Sequence, residues 1–398
     1  LNILQLCIRV PFLPNDGATI AMNNAAKSLM ACGASLKSLA FNTNKNFIPL
    51  ENIPPEIRML TRIEAVPLNL SVRPLQAFLN LFSKESLHVI RFRSAAFEQL
   101  LIKTLSEKNY DAVWFEGLYM SPYLETVRKY SDAKAIMRSH NVEFVIWERL
   151  AKACSQPVKK WYLGLLASRL KNYELQMLNR FDALLPITPV DADHYRQLGC
   201  TVPMLTFPIG VDTGDYAVSV PGSDKSFSVF HLGSMDWMPN LEAVDWFLNK
   251  VFPLLVKKDP EINIVLAGKN MPERIFRLAD KNLKVYGKID DPKTFMADKH
   301  VMIVPLLSGG GMRVKIIEGM AAGKAIVSTS VGAEGINYTN GLNIMIADKA
   351  EDFCNAILQL KRDSALRESV SFKARKLIEE EYDNDVLGKR VMKFLESL

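Results

Sequence analysis

Short β-rich runs alternate with longer helical patterns along the whole chain, and the alternation starts afresh halfway. In the first half ILQLCI (3–8) leads through a glycine-containing loop into a helical stretch from about Ala18 to Ala31. Further apolar runs follow at SLKSLAF (35–41), LHVIRF (87–92), DAVWF (111–115), AKAIMRS (133–139), ALLPIT (183–188) and PMLTF (203–207). The second half opens with SFSVFHLG (226–233). A segment from about Pro239 to Leu255 then sets Leu241, Val244, Phe247, Leu248, Val251 and Leu255 at helical spacing. INIVLAG (262–268), LKVYG (283–287), HVMIVPL (300–306) and KAIVST (324–329) complete the series. Strand, helix and strand in repetition predict mostly parallel sheets covered on both faces. Between the halves, FPIGVDTGDYAVSVPGSDKS (207–226) is rich in Gly, Pro, Asp and Ser and reads as a hinge. Two open α/β domains joined in this way imply a cleft, with ligands beyond the C-terminal strand ends.

The bulk numbers agree with two domains. A chain of 398 residues, 48% hydrophobic and 23% charged, is too long for one ordinary core and has a globular composition. No apolar run reaches about 18 residues, so no spanning helix is expected. The opening LNILQLCIRV has no basic leader and reads as a strand rather than a signal peptide. The five cysteines (7, 32, 154, 200 and 354) are scattered and suggest neither a disulfide framework nor a metal cluster. A cytoplasmic setting is the expectation. Net charge is +6, concentrated in residues 1–205, which hold 24 Lys/Arg against 17 Asp/Glu. Dispersed lysines of this kind are ordinarily solvated surface. No zinc finger, RNA-binding signature or dense basic tract points to nucleic acid.

Residues 308–315, SGGGMRVK, ask for a ligand. Each glycine costs conformational entropy on folding, so three in succession need a reason. They follow a strand of the second domain, and residues from Met312 onward read as a helix. The loop therefore belongs at the ligand-binding edge, where helix N-terminal N–H groups suit a phosphate. Arg313 and Lys315 in a first turn oppose the helix dipole unless an anion lies nearby. A strand-to-helix turn is the plain alternative. The loop is no Walker A motif, since Gly319 to Lys324 is followed by Ala325, and no G-x-G-x-x-G fingerprint follows the first strand.

VPLLSGGGMRVKIIEGMAAGKAIVSTSVGAEGI (304–336), with HLGSMDWMPNLEAVDWF (231–247) and RSHNVE (138–143), resembles the GT-B glycosyltransferases, in particular the retaining group called family 4. The resemblance covers essentially the whole chain. It implies two Rossmann-like doubly wound domains facing a central cleft, with the acceptor against the first and a nucleotide-sugar donor against the second. EEEYDNDVLGKRVMKFLESL (379–398) fits the family's last helix, which returns to the first domain. The expected boundaries are thus 1–206, a linker 207–225, 226–378 for the donor domain and 379–398 for the returning helix.

Residue by residue, the resemblance makes Glu318 the carboxylate that accepts ribose hydroxyls. The earlier glutamate of the family's pair falls on Gly310, a departure that removes a side chain from the donor sugar. Gly309, Gly310 and Gly311 would offer backbone N–H groups there. A second departure is the loop Gly233-Ser234-Met235-Asp236-Trp237-Met238-Pro239-Asn240, which lacks the family's Arg and Lys. Arg313 and Lys315 are expected to supply that charge, with Gly233 and Ser234 as the close-approach loop. His140 resembles the first-domain histidine that touches the donor sugar. Asn141 and Glu143 share its loop on the acceptor side. Gly17 matches a close-approach glycine, and Asp16 either binds an acceptor hydroxyl or caps the helix. Glu334 helps hold the nucleotide or sugar.

The resemblance implies front-face transfer with retention, from a UDP- or GDP-linked sugar to a glycan or lipid-linked acceptor in bacterial surface polysaccharide synthesis. No cofactor and no metal are expected. Trp147, Trp161 and Tyr162 among basic residues in 147–180 also suit peripheral contact with a membrane, or simply outer helices of the first sheet. A nucleotide-sugar epimerase and a non-catalytic glycan-binding relative are the alternatives.

Overall fold

The computed structural model describes residues 1–13, 16–71, 80–218 and 227–398. Residues 219–226, which include the second part of the expected linker, lie outside the described residues. The chain forms two compact units, Leu1–Ile209 with Leu387–Leu398, and Gly210–Val386.

The first unit holds a parallel sheet of six strands: β1 (Asn2–Cys7), β2 (Ser35–Thr43), β3 (Glu64–Leu68), β4 (Ala112–Glu116), β5 (Lys134–Ser139) and β6 (Ala183–Pro186). Their order is β3-β2-β1-β4-β5-β6. The second unit repeats this winding with β7 (Ser228–Leu232), β8 (Asn263–Ala267), β9 (Leu283–Tyr286), β10 (Val301–Val304), β11 (Ala325–Ser328) and β12 (Met345–Ile346), in the order β12-β11-β10-β7-β8-β9. In both sheets the chain winds outward to one edge, then returns to wind the other way. The reversal falls between β1 and β4, and between β7 and β10.

Side-chain alternation explains why both faces are covered. On the first sheet Leu4, Leu6, Val113, Phe115, Ala135 and Met137 point into one apolar cluster, with Phe97 and Leu101 of the Ala95–Glu107 helix. Their neighbours Ile3, Cys7, Ala112, Trp114 and Ile136 point into the other, against Met22, Ala25 and Leu29 of the Gly17–Ala31 helix. Strands buried on both sides read as continuous apolar runs, which is the pattern of the sequence. The second sheet packs Val229, Ile264, Leu266, Val301, Ile303 and Val327 into one cluster.

Four features depart from the sequence reading. LHVIRF is a short helix, Leu87–Ile90, with His88 tilted against Trp147 at 3.9 Å between ring centroids. An apolar run this short has no periodicity to tell buried helix from strand. PMLTF runs beside β6 but makes a single bridge, Leu184 to Met204, because Pro203 before it and Pro186 after it lack an N–H to donate. Edge strands β3, which contains Pro67, and β12 were not read at all. The 239–255 helix is Met238–Trp246 continuing through a wide turn at Phe247–Val251 into Phe252–Lys258. Pro253 lacks the N–H for a regular helical bond and sits where the wide turn ends.

The Asn384–Glu396 helix adds Leu387, Val391 and Leu395 to the first unit's core. A Cβ on Gly388 would lie 2.2 Å from Ser28 O and 2.6 Å from Cys32 Sγ. Gly388→Ala is therefore expected to lower stability by about 1–3 kcal/mol, read from chemical denaturation. A variant as stable as the parent would show that this helix is not close-packed on Gly17–Ala31.

Candidate functional site

A reversal of winding leaves two adjacent strand ends whose connections depart to opposite faces, opening a crevice at the carboxyl edge. In the second unit the crevice lies between the loops after β7 and β10. Glycines bring these loops together. A Cβ on Gly268 would stand 1.7 Å from Gly233 O, so the loop after β7 lies directly on the loop after β8. Gly233 N–H donates to Ala267 O at 3.1 Å. A Cβ on Gly233 would in turn meet Lys315 Nζ at 2.6 Å and Asn240 Nδ2 at 2.9 Å.

Lys315 thus lies over the bare backbone of Gly233. Its Nζ donates to Asn240 Oδ1 at 2.8 Å, and Asn240 Nδ2 donates to Ser234 O at 2.8 Å. Burial and the charge of Arg313 push the Lys315 ammonium down to about 7, against a smaller opposing pull from Glu318. An anion arriving here meets a lysine readily protonated by its arrival. Beneath it, buried His231 bonds Ile303 O through Nδ1 at 3.0 Å. Burial, then the Lys315 charge, push this imidazole down to about 3, so it stays neutral.

The glycine run forms an exposed loop after β10, with Gly309 at φ +113° and Gly311 at φ +76°. Both lie in the left-handed region that favours glycine. Among the described residues, none accepts a hydrogen bond from the N–H groups of Gly309, Gly310 and Gly311. The helix that follows is Val314–Ala321 and begins two residues later than the sequence suggested. Arg313 occupies its N-cap position and is buried. It donates to Gly310 O and Gly311 O and stacks on Trp237 at 5.2 Å. It therefore staples the loop that it follows. Trp237 also covers Gly309, where a Cβ would approach the indole to 3.0 Å.

Glu318 projects from the same helix. Burial raises its carboxyl, offset by a hydrogen bond from Tyr216 and the charges of Lys293 and Lys315. The Tyr216 hydroxyl donates to Glu318 Oε1 at 3.4 Å, so the expected linker contributes a side chain to this site. Glu334 is half-buried on the turn after β11.

In the first unit the crevice residues are polar and buried. Glu116, at the end of β4, is fully buried and faces the Gly17–Ala31 helix. Its Oε1 accepts from Gln5 Nε2 at 2.8 Å and Trp114 Nε1 at 3.0 Å; its Oε2 accepts from His140 Nε2 at 2.7 Å and Arg138 Nη1 at 3.4 Å. Burial alone would raise this carboxyl. The Arg138 charge and the bonds from His140 and Gln5 hold it below the usual carboxylate range. His140 is thus placed at the carboxyl edge of β5 by a buried anion that the sequence reading missed.

The rest of that loop is pinned from behind. Buried Glu174 accepts from the N–H groups of Glu143 and Phe144 at 3.2 and 3.1 Å, and from Tyr195 Oη at 2.8 Å. Ser139 Oγ donates to Asn141 O at 2.7 Å. Glu143 accepts from Tyr119 Oη at 2.8 Å, and burial pushes its carboxyl up to about 7. At the other loop Asp16 caps the Gly17–Ala31 helix in a reciprocal pair with Thr19, and its second oxygen takes Arg9 Nη1 at 2.6 Å. Gly17 begins that helix, and a Cβ there would meet nothing within 4 Å.

Two polar sets therefore assemble, each within its own unit: Gly233, Ser234, Lys315, Glu318 and the 309–311 loop in the second, and His140, Asn141 and Glu143 in the first. Among the described residues no three His, Cys, Asp or Glu side chains converge as a metal site would require, and no helix is long and apolar enough to cross a membrane.

Known proteins resemble this chain in sequence and in fold. Residues 226–363 match the family model described as glycosyl transferases group 1. A 44.6 kDa protein of the cps region of Klebsiella pneumoniae, itself uncharacterised, is 27% identical over 300 residues, 72% of this chain and 74% of that protein. The phosphatidyl-myo-inositol mannosyltransferase of Mycolicibacterium smegmatis is 25% identical over 202 residues, 48% of this chain and 51% of that enzyme. The crystal structure of Anabaena HepE in complex with UDP superimposes with a TM-score of 0.69 and 14% identity, covering 100% of both chains. With doubly wound parallel sheets in both units and a group 1 transferase domain at residues 226–363, this chain is a glycosyltransferase of GT-B fold.

Proposed function

We propose that the protein transfers a sugar, with retention, from a nucleoside diphosphate to a glycan or lipid-linked acceptor during surface polysaccharide synthesis. The observation that carries this reading is Lys315 lying over the bare Gly233 backbone beside the open N–H groups of Gly309, Gly310 and Gly311. Lysine and backbone N–H groups are diphosphate ligands. The UDP held by HepE and the phosphatidyl-myo-inositol for which the mannosyltransferase is named support the donor and acceptor classes.

In this reading the diphosphate rests on Gly233, Ser234 and the 309–311 loop, Glu318 takes the ribose hydroxyls, and Glu334 lies at the nucleotide or sugar. The bond from the anomeric carbon to the diphosphate oxygen breaks. The acceptor oxygen bonds to that carbon on the same face, and its proton passes to the departing diphosphate. Negative charge grows on the diphosphate as the bond breaks, so Lys315 and the Arg313-stapled loop stabilise the transition state more than the ground state. This neutralisation by side chains lets transfer proceed in the presence of chelator. His140 contacts the donor sugar and Gly17 lies toward the donor, while Asp16, Asn141 and Glu143 lie toward the acceptor.

Calorimetry against UDP, GDP, CDP and ADP tests the site. One nucleoside diphosphate is expected to bind selectively, and Lys315→Met to weaken it roughly ten- to a hundredfold through loss of a charge-assisted bond. Absence of binding by a folded sample overturns the reading. Because Lys315 titrates at about 7 without ligand and the diphosphate favours its charged form, binding above that pH takes up a proton. Affinity then falls between about pH 7 and 9 by up to about tenfold per unit, and the Lys315→Met variant loses this slope.

We further propose contact with an anionic membrane surface through the first unit. Val158 and Trp161 are 79% and 61% exposed at the start of the Pro157–Met177 helix, among exposed Lys152, Lys159 and Lys160. Apolar side chains flanked by lysines suit a headgroup region. Trp161→Ser is expected to reduce co-sedimentation with vesicles containing phosphatidylglycerol. Equal binding of both proteins, or none by the parent, would remove this surface from the account.

A further inference from the structure

The interaction around Glu116 is more specific than charge compensation requires. A buried arginine needs an anion, and Arg138 is fully buried. Yet Arg138 makes its shorter bond elsewhere, from Nη1 to Ala21 O at 2.8 Å, and reaches Glu116 at 3.4 Å. The shortest contact of the carboxylate, 2.7 Å, is to His140 Nε2. Gln5, Trp114 and Arg138 donate to three of the four lone-pair directions of the carboxylate, and the adjacent Arg138 guanidinium holds it in the ionised form. The oxygen facing His140 is therefore an acceptor, and Nε2 must carry hydrogen.

The other charged or titratable groups facing this pair do not disturb that assignment. Cys7 lies opposite Glu116 in the sheet register, and burial with the Glu116 charge keeps its thiol protonated. Arg138 lies on the far strand, opposite Glu116, and stays engaged with Ala21 O. No partner holds His140 Nδ1 among the described residues. In the neutral ring Nδ1 is then a lone-pair acceptor.

We propose that Glu116 is a positioning residue for the transfer reaction, locking His140 in its Nε2–H tautomer so that Nδ1 accepts a hydrogen bond from a hydroxyl of the donor sugar. The proposal rests on the reading that His140 contacts the donor sugar. It assigns the histidine an accepting role, and it makes the buried anion the reason for that role. It also accounts for a glutamate buried among four donors at the strand next to the winding reversal, where an apolar residue would pack without desolvation cost.

Two measurements test it. In the wild-type protein, nitrogen-15 long-range NMR spectra assigned with His140→Ala should show His140 protonated at Nε2 and bare at Nδ1 above neutral pH. Glu116→Gln should turn the His140 ring into a mixture of tautomers, because the anion that holds the Nε2 hydrogen at 2.7 Å is removed. It should also reduce kcat by roughly ten- to a hundredfold with donor KM changed less than about threefold, the size of effect typical when a supporting side chain is lost. In a His140→Ala background the same substitution should cost nothing further. Glu116→Gln leaves Arg138 without its anion, so Glu116→Gln/Arg138→Met serves as a second variant that removes both charges. A wild-type ring protonated at Nδ1, or a Glu116→Gln loss that persists undiminished beside His140→Ala, overturns the proposal. Unchanged turnover in His140→Ala overturns the donor-contact reading and the proposal with it. That outcome is distinct from failure of positioning alone, in which His140→Ala is slow and Glu116→Gln is not.

Discussion

Parallel strands cannot be joined by tight turns. Every connection must leave the carboxyl edge and cross a face of the sheet before the next strand begins. When the winding reverses, two neighbouring strands send their connections to opposite faces, and the ground between them is covered by neither. Both sheets of this protein contain such a reversal, and the polar chemistry collects beside it. Glu116 ends β4 and His140 follows β5 in the first sheet; Gly233 follows β7 and the glycine run follows β10 in the second. The remaining burial in each sheet is apolar and serves to hold these ends at fixed spacing.

Glycine and lysine act as a pair in the second unit. The missing side chains at Gly233 and Gly268 let two loops and the Lys315 ammonium occupy a space that any Cβ would fill. Close approach strips water from the ammonium, and the nearby Arg313 adds repulsion, so the lysine gives up its proton near neutrality. Basicity at this position is a product of backbone packing. Arg313 contributes differently, by holding the carbonyls of Gly310 and Gly311 so that their loop keeps its shape.

Much of this was legible in the sequence, for identifiable reasons. Ten of the strands were legible, the central ones chiefly because a parallel strand buried on both faces must be continuously apolar, as in AVWF and VMIV. Edge strands β3 and β12 did not, since one holds Pro67 and the other has two residues. The short helix at Leu87–Ile90 carried no period to betray it. Lys315 and the glycines were visible because glycine runs beside basic residues have few structural uses. Glu116 was not. A single glutamate ending VWFE looks like any strand terminus, and only the register that sets it beside Cys7 and Arg138, with Gln5 and His140 in reach, reveals its surroundings. Tyr216 was hidden for a similar reason, in a stretch that composition marked as linker.

The Asn384–Glu396 helix gives the first unit a discontinuous core. Leu387, Val391 and Leu395 complete a cluster whose other members come from residues before Phe207 and Phe207 itself. On the ribosome the first unit must wait, with that apolar face incomplete, until the whole of the second unit has been made. The second unit, contiguous from Gly210 to Val386, has no such delay. Synthesis order and folding order are therefore inverted: the half of the chain made later is the first that can close its core.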